Sequence, residues 1–356
     1  MLAAFLILAF YSEVAAWIFA YIAKALSGNA ISSDPEVTGA EFAALIADPM
    51  QSLLWQWLVL GLIGGILMLG VTKGIEAVAK RLMPLLFILL TLLCIASLTL
   101  DEAGAGLAFL FKPDLSQLTT SSILAAMGLA FFKLSVGMGT MITYGSYFKA
   151  DLDIPVTAFR VMCADVTVSL LAGIAIFPAV FTFGFVPEAG PSLVFITLPA
   201  VFSQLPFGQA LMVAFFVLAA VAATGALLSL LEVPIAILHE RLRISRARAA
   251  VLTLGLLALP AAAAALSQNL LSDVSVAGMT LFELFDYMSS NVLLPLGGIL
   301  IALFVGWRWG WPAFSSAISN EGELQNHRLA RVVFTLLKYI TPPLILIVMV
   351  SGLGMF

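Results

Sequence analysis

Residues 131–147, FFKLSVGMGTMITYGSY, concentrate groups that could do chemistry: Lys133, Ser135, Gly137, Gly139, Thr140, Thr143, Tyr144 and Ser146. A lysine offers a fixed cation and hydroxyls offer hydrogen bonds. Glycines let a helix open so that its own carbonyl and amide groups face a ligand. Lys133 stands about a dozen residues from the nearest loop. At ~1.5 Å per residue it is ~18 Å inside a ~30 Å hydrocarbon slab, too deep for easy snorkelling. A charge at that depth is costly and points to function.

The other charges in apolar runs are Glu13, Asp165 and Glu232. Asp165 is ~15 Å from the cytoplasmic end of its run and Lys133 ~12 Å by the same measure. The match predicts an ion pair between them. The alternatives are that each faces its own water-filled cleft, or that Glu13 or Glu232 takes the partner's place. If the pair is buried, Lys133→Ala strands a carboxylate at a cost of ~3–5 kcal/mol. Lys338 is near enough to an end to snorkel, and Glu283 and Asp286 sit at an outer mouth. Gly137 and Gly139, flanking Met138, admit two readings: close helix packing through small residues, or a broken helix that binds a ligand at mid-membrane. The neighbouring lysine and serine favour the second.

The chain that must position these groups is 62% hydrophobic and 10% charged over 356 residues, which defines an all-α membrane protein. Nine spans are predicted, at about 2–26, 51–71, 83–100, 121–147, 155–183, 208–238, 249–267, 286–307 and 330–354. Twelve of the sixteen basic residues fall in four alternate loops: Lys73, Lys80 and Arg81; Lys149 and Arg160; Arg241, Arg243, Arg246 and Arg248; and Arg308, Arg328 and Arg331. Those loops are therefore assigned to the cytoplasm. The intervening ones carry Asp34, Glu36, Asp101, Glu102, Asp114 and Glu188. The expected location is the plasma membrane, with the lipid bilayer as partner. A net charge of −4 gives no support to a nucleic-acid partner. Cys94 and Cys163 form no disulfide framework or metal motif. His239 and His327 lie outside the predicted spans, and no HExxH or GxSxG occurs, so no enzyme is expected. No organic cofactor is expected either, and nothing in the chain specifies an oligomeric state. The sequence opens directly in an apolar run without a basic n-region, so no signal peptide is expected.

FFKLSVGMGTMITYGSY resembles the sixth, discontinuous helix of the neurotransmitter:sodium symporter family, whose pattern is FFxLSxGxGxxxTYxSY. Other stretches resemble the family in order: TKGIEAVAKRLMP its loop into the fifth helix, VFITLPAVFSQLPFG its outer loop leading to the eighth, SLLEVPIAILHERLRISR the eighth and its cytoplasmic exit, and KYITPP the eleventh. The likeness runs along essentially the whole chain. It implies a leucine-transporter-like fold of two inverted five-helix repeats, with substrate held at mid-membrane and reached alternately from either side. On that numbering the chain begins at the family's third helix, as an N-terminally truncated member. One transmembrane domain, 1–356, would hold a remnant of the first repeat (1–103), a complete second repeat (121–307) and an additional C-terminal helix (328–356).

The resemblance also implies site residues. Tyr11 matches the position that bonds a substrate carboxylate, with Ile7 one turn earlier. Phe132, Ser135, Gly137 and Met138 match the sixth helix's share of the pocket, and Leu230 that of the eighth. Apolar walls, a hydroxyl and open backbone suit a neutral, hydrophobic amino acid. Tyr147 and Glu240 match the cytoplasmic gate, and Asp286 the outer one.

The sodium sites depart from the family pattern and look degenerate. Lys133 replaces a hydroxyl ligand at the first, and the seventh-helix asparagine falls at Ala164, beside Asp165. At the second, Gly225 and Ala226 replace a Thr-Ser pair, leaving Ala222 to offer a carbonyl and Thr224 a hydroxyl one residue out of register. Secondary active amino-acid transport with Na+ as coupling ion is the expected function. The alternatives are a sodium-independent or proton-coupled relative using Lys133 and Asp165, and a transport-incompetent remnant or sensor.

Overall fold

The computed structural model describes all residues except 29–31, 149–151, 186–189 and 355–356. Lys149 and Glu188, both assigned to loops, lie outside the described residues. In chain order the helices are α1 (Leu2–Ser27), α2 (Pro35–Ala47), α3 (Pro49–Met68), α4 (Lys73–Leu98), α5 (Ala103–Phe111), α6 (Thr120–Lys133), α7 (Thr140–Gly145), α8 (Ile154–Thr182), α9 (Leu193–Ser203), α10 (Gly208–Leu242), α11 (Arg246–Leu266), α12 (Leu281–Ile318) and α13 (His327–Gly352). Among the described residues, α1, α3, α4, α8, α10, α11, α12 and α13 are long and apolar enough to cross a membrane. The fourth of the nine predicted spans, 121–147, is the one that does not run through. It is divided into α6 and α7 around residues 134–139.

Local chemistry sets the helix ends. Asp34 caps α2 by accepting from the Glu36 N–H, and Asp48 caps α3 by accepting from Met50 and Gln51 N–H, each with proline at the first helical position. Asp48 lies outside the spans, and the Gln51 backbone and side-chain donors hold its carboxyl below the usual carboxylate range. Thr119 caps α6 and Ser245 caps α11 in the same way.

Several boundaries extend beyond the predicted ones. α4 begins ten residues early, so Lys73, Lys80 and Arg81 are helical rather than looped. α12 continues through Arg308 to Ile318. Wide π-helical turns accompany these extensions at Val71–Glu76, Met288–Leu293 and Phe304–Trp309, with others at Leu193–Thr197 and Leu336–Ile340. Each relaxes the helix by one residue where proline or glycine stands nearby.

The chain forms two compact units. The first holds Met1–Ile7, Asp114–Val166 and Phe285–Phe356. In it α6 packs on both α12 and α13, and the turns Phe304–Trp309 and Leu336–Ile340 meet. A β-carbon on Gly306 would lie 3.0 Å from the Lys338 Cα, so glycine permits that approach. The Lys338 ammonium stands 4.6 Å from the centre of the Trp307 ring, where the π face stabilises a cation.

The second unit holds Leu8–Pro113 and Thr167–Leu284. There α3 lies against α11, and α10 against α4, α11 and α9. Its core includes a buried aromatic cluster of Trp17, Tyr21, Phe42, Phe195 and Phe216. The Tyr21 hydroxyl donates to the Phe195 carbonyl (3.1 Å) and Thr38 to that of Ile196 (3.0 Å), so α1 and α2 satisfy backbone acceptors of α9.

Candidate functional site

The discontinuity between α6 and α7 is built from backbone chemistry that can be followed residue by residue. Ser135 takes a left-handed conformation (φ 55°), and Val136 N–H donates back to Phe131 O (2.9 Å) while Ser135 N–H donates to Phe132 O (3.1 Å). That pair of bonds is a Schellman motif, which ends α6. The position normally favours glycine, so serine there is strained by ~1 kcal/mol. Gly137 (φ 86°) and Gly139 (φ 93°) continue the turn, and Gly139 precedes the first residue of α7.

Small residues on α12 receive the opened segment. A β-carbon on Gly137 would collide with the Leu294 carbonyl, and one on Gly297 with the Gly137 carbonyl. A β-carbon on Gly298 would press on the Phe131 ring. Close packing and helix breaking, set out above as alternatives, therefore occur together: the break is what packs. Gly297 and Gly298 were not singled out from sequence, although their adjacency within the apolar run LPLGGIL was a visible signal. Met138 and Thr140 are buried within this turn, and the Thr140 hydroxyl has no hydrogen-bond partner among the described residues.

At the last residue of α6, immediately before the break, Lys133 Nζ lies 3.1 Å from Asp165 Oδ2. Each side chain keeps about a third of its surface uncovered by protein, at 35% and 34%. The lysine also sits in the last turn of α6, where a cation complements the helix dipole. The two carboxylates considered as competitors are engaged in the second unit. Glu13 accepts from Trp17 Nε1 (2.8 Å), and Glu232, fully buried, accepts from Arg246 (2.6 Å). Arg246, placed in a cytoplasmic loop by its charge, thus opens α11 and reaches back to α10. The two helices are joined by residues 243–245 alone.

Ile7, Phe132, Ser135, Gly137, Met138, Tyr147 and Asp286 belong to the first unit, while Tyr11, Ala222, Thr224, Leu230 and Glu240 belong to the second. Within the first, Asp286 is exposed and accepts from Ser290 (2.9 Å), and Tyr147 is half-buried in the turn closing α7. In the second, Leu230 and Thr224 are buried on α10, whereas Ala222 and Glu240 are exposed. His239, expected outside a span, lies in the last turn of α10 with Nδ1 2.6 Å from the Ile244 carbonyl. The helix runs four residues past its predicted end. No group of three or more His, Cys, Asp or Glu gathers among the described residues.

A multi-pass helical membrane protein with one span broken at mid-depth, glycines at the break and an ion pair beside it has the form of a secondary transporter. Comparison with known proteins gives the family. The sodium:neurotransmitter symporter family pattern matches residues 47–356, and the chain belongs to that family. It is 39% identical over 355 residues to YhdH, an uncharacterized sodium-dependent transporter of Bacillus subtilis (strain 168), covering 99% of this chain and 78% of that protein. An uncharacterized sodium-dependent transporter of Haemophilus influenzae is 34% identical over 361 residues, with the same shares covered. The crystal structure of MhsT in complex with L-phenylalanine is similar with a TM-score of 0.88 and 42% identity, over 98% of this chain and 79% of that one. The leucine-transporter-like fold implied by the sequence is therefore present, and the chain is a multi-pass membrane protein of a transporter family.

Proposed function

We propose that this protein is a sodium-coupled symporter of neutral, hydrophobic amino acids. The observation that carries the reading is the opened backbone at Ser135–Gly139, in a chain resembling a transporter that was crystallised with L-phenylalanine. Ile7, Tyr11, Phe132, Ser135, Gly137, Met138 and Leu230 are assigned to the substrate. Tyr11 takes the carboxylate, the opened turn offers polar backbone, and the remaining side chains wall an apolar body. Tyr147, Glu240 and Asp286 are assigned to the gates. The proposed domain plan keeps a complete second repeat at 121–307, with 1–103 from the first and 328–356 as an added helix.

Coupling is proposed to use one sodium ion, held through the Ala222 carbonyl and the Thr224 hydroxyl. An ammonium cannot ligate sodium, and the Lys133 ammonium, paired with the Asp165 carboxylate, is assigned as the fixed cation that takes the place of the family's first ion. Uptake of labelled phenylalanine, leucine and valine into proteoliposomes tests this. Sodium should drive accumulation with a hyperbolic concentration dependence, and choline should not. A sigmoidal sodium curve overturns the single-ion assignment, equal uptake in choline overturns sodium coupling, and no uptake of any neutral amino acid overturns the substrate class.

A further inference from the structure

Glu13 plays no part in the transport reading, yet it is a buried carboxyl among buried polar side chains of the second unit. It lies about 11 residues into α1, ~17 Å along the helix and thus near the bilayer centre. It is 1% exposed. Oε1 accepts from Trp17 Nε1, but Oε2 has no hydrogen-bond partner among the described residues. On α3, Ser52 lies beside this carboxyl as its nearest hydroxyl donor and Gln56 follows one turn later, both buried; neither the Ser52 hydroxyl nor Gln56 Oε1 closes a hydrogen bond of good geometry among the described residues. The Gln56 amide is oriented by its other end, since Nε2 donates to Ala261 O (3.0 Å) and Ser12 Oγ (3.2 Å). Oε1 is therefore an acceptor lacking a donor. Ser52 can supply one hydrogen to two acceptor oxygens, Glu13 Oε2 and Gln56 Oε1, so the cluster is one hydrogen short.

We propose that Glu13, Ser52 and Gln56 form a proton-binding site in the membrane interior, with Glu13 carried as the neutral acid and its hydrogen on Oε2. Loading forms one O–H bond on Oε2 as a hydronium ion loses one and departs as water. No electron is transferred. The added hydrogen completes the donor count and removes a charge that hydrocarbon surroundings oppose.

The residues facing this stretch of α1 carry no compensating charge. They are Ser52 and Gln56 from α3, Ala261 from α11, Phe42 from α2, Phe195 from α9 and Phe282 from α12. The nearest titratable group on α1 is Tyr11, a neutral phenol two residues away that lies across the helix from Glu13 in sequence register. Among the other described groups on these elements, Lys24 and Glu41 pair with each other near the end of α1, Glu283 accepts from Thr280, and Tyr21 donates to Phe195.

The test is infrared spectroscopy of the full chain in lipid nanodiscs at neutral pH, taken as the difference between wild type and Glu13→Gln. A protonated carboxylic C=O band that shifts in heavy water and is lost in Glu13→Gln is the expected result. Glu13→Gln should also keep the wild-type melting temperature, because its amide supplies an N–H where the acid supplies an O–H. Should that variant fold poorly, Glu13→Asp must retain an acid band at a displaced frequency. A carboxylate band in place of the acid band overturns the proposal. So does a sodium-dependent rise in melting temperature that vanishes in Glu13→Gln without any acid band, which would make the cluster a metal-cation site. Neither readout requires transport.

Discussion

The Glu232–Arg246 and Lys133–Asp165 contacts both pair a cation with a carboxylate among the described residues, and how far protein encloses them separates their energetics. Glu232 is fully buried against Arg246, whereas Lys133 and Asp165 keep about a third of their surfaces open. Arg246→Ala should therefore be the more damaging change, leaving a buried carboxylate at ~3–5 kcal/mol, and Arg246→Ala/Glu232→Gln should regain much of that loss in a thermal-unfolding series. Lys133→Ala should cost less than Arg246→Ala, because the protein encloses Asp165 less completely than Glu232. Lys133→Ala/Asp165→Asn should unfold at a higher temperature than Lys133→Ala alone. A double variant no more stable than the single one would show that the contact carries no coupling. The proximity of Lys133 and Asp165 was legible in the sequence, because depth along a helix follows from counting residues. The Arg246–Glu232 contact was not. A basic residue just past a span looks topogenic, and only the tight turn between α10 and α11 shows that it folds back.

The α6–α7 discontinuity stores strain at the element scale. Ser135→Gly removes the left-handed penalty and should raise stability by ~1 kcal/mol, read as a shift in unfolding midpoint. If Ser135 serves substrate as proposed, the same variant should bind phenylalanine more weakly, a stability gain accompanied by functional loss. Gly137→Ala should be far more harmful than Gly104→Ala. The first meets the Leu294 carbonyl at a positive φ and the second meets open space. Glycine spacing announced that a break was possible. It could not reveal that Ser135 would take the strained position or that α12 would answer with its own glycines, because those depend on residues more than 150 positions away. The short helices α2, α5 and α9 were hidden for a related reason. Their apolar faces are satisfied by other helices: a β-carbon on Gly106 of α5, for instance, would strike the backbone at Pro178.

For the molecule as a whole, composition and the alternation of basic loops were enough to define a multi-pass membrane protein, since the bilayer imposes span length and orientation directly. The two cysteines offer a check on packing that needs no mutation. Cys163 is exposed, while Cys94 is buried and donates to the Leu171 carbonyl. A maleimide should leave Cys94 unmodified in the native protein and reach it only after unfolding, as peptide mass mapping would reveal. Labelling of Cys94 in the native protein would contradict the packing of α4 against α8.

The wide turns in α4, α9, α12 and α13 carry an implication for how such a chain can change length. Each holds one residue more than an ordinary helical turn. Deleting a residue from Phe304–Trp309 would tighten that turn to α geometry and leave the following helix in phase. The same deletion within α10 would swing each later side chain by about 100° and turn the buried face outward. These turns therefore mark sites where single-residue insertions and deletions can accumulate between relatives without unseating the helices that surround them.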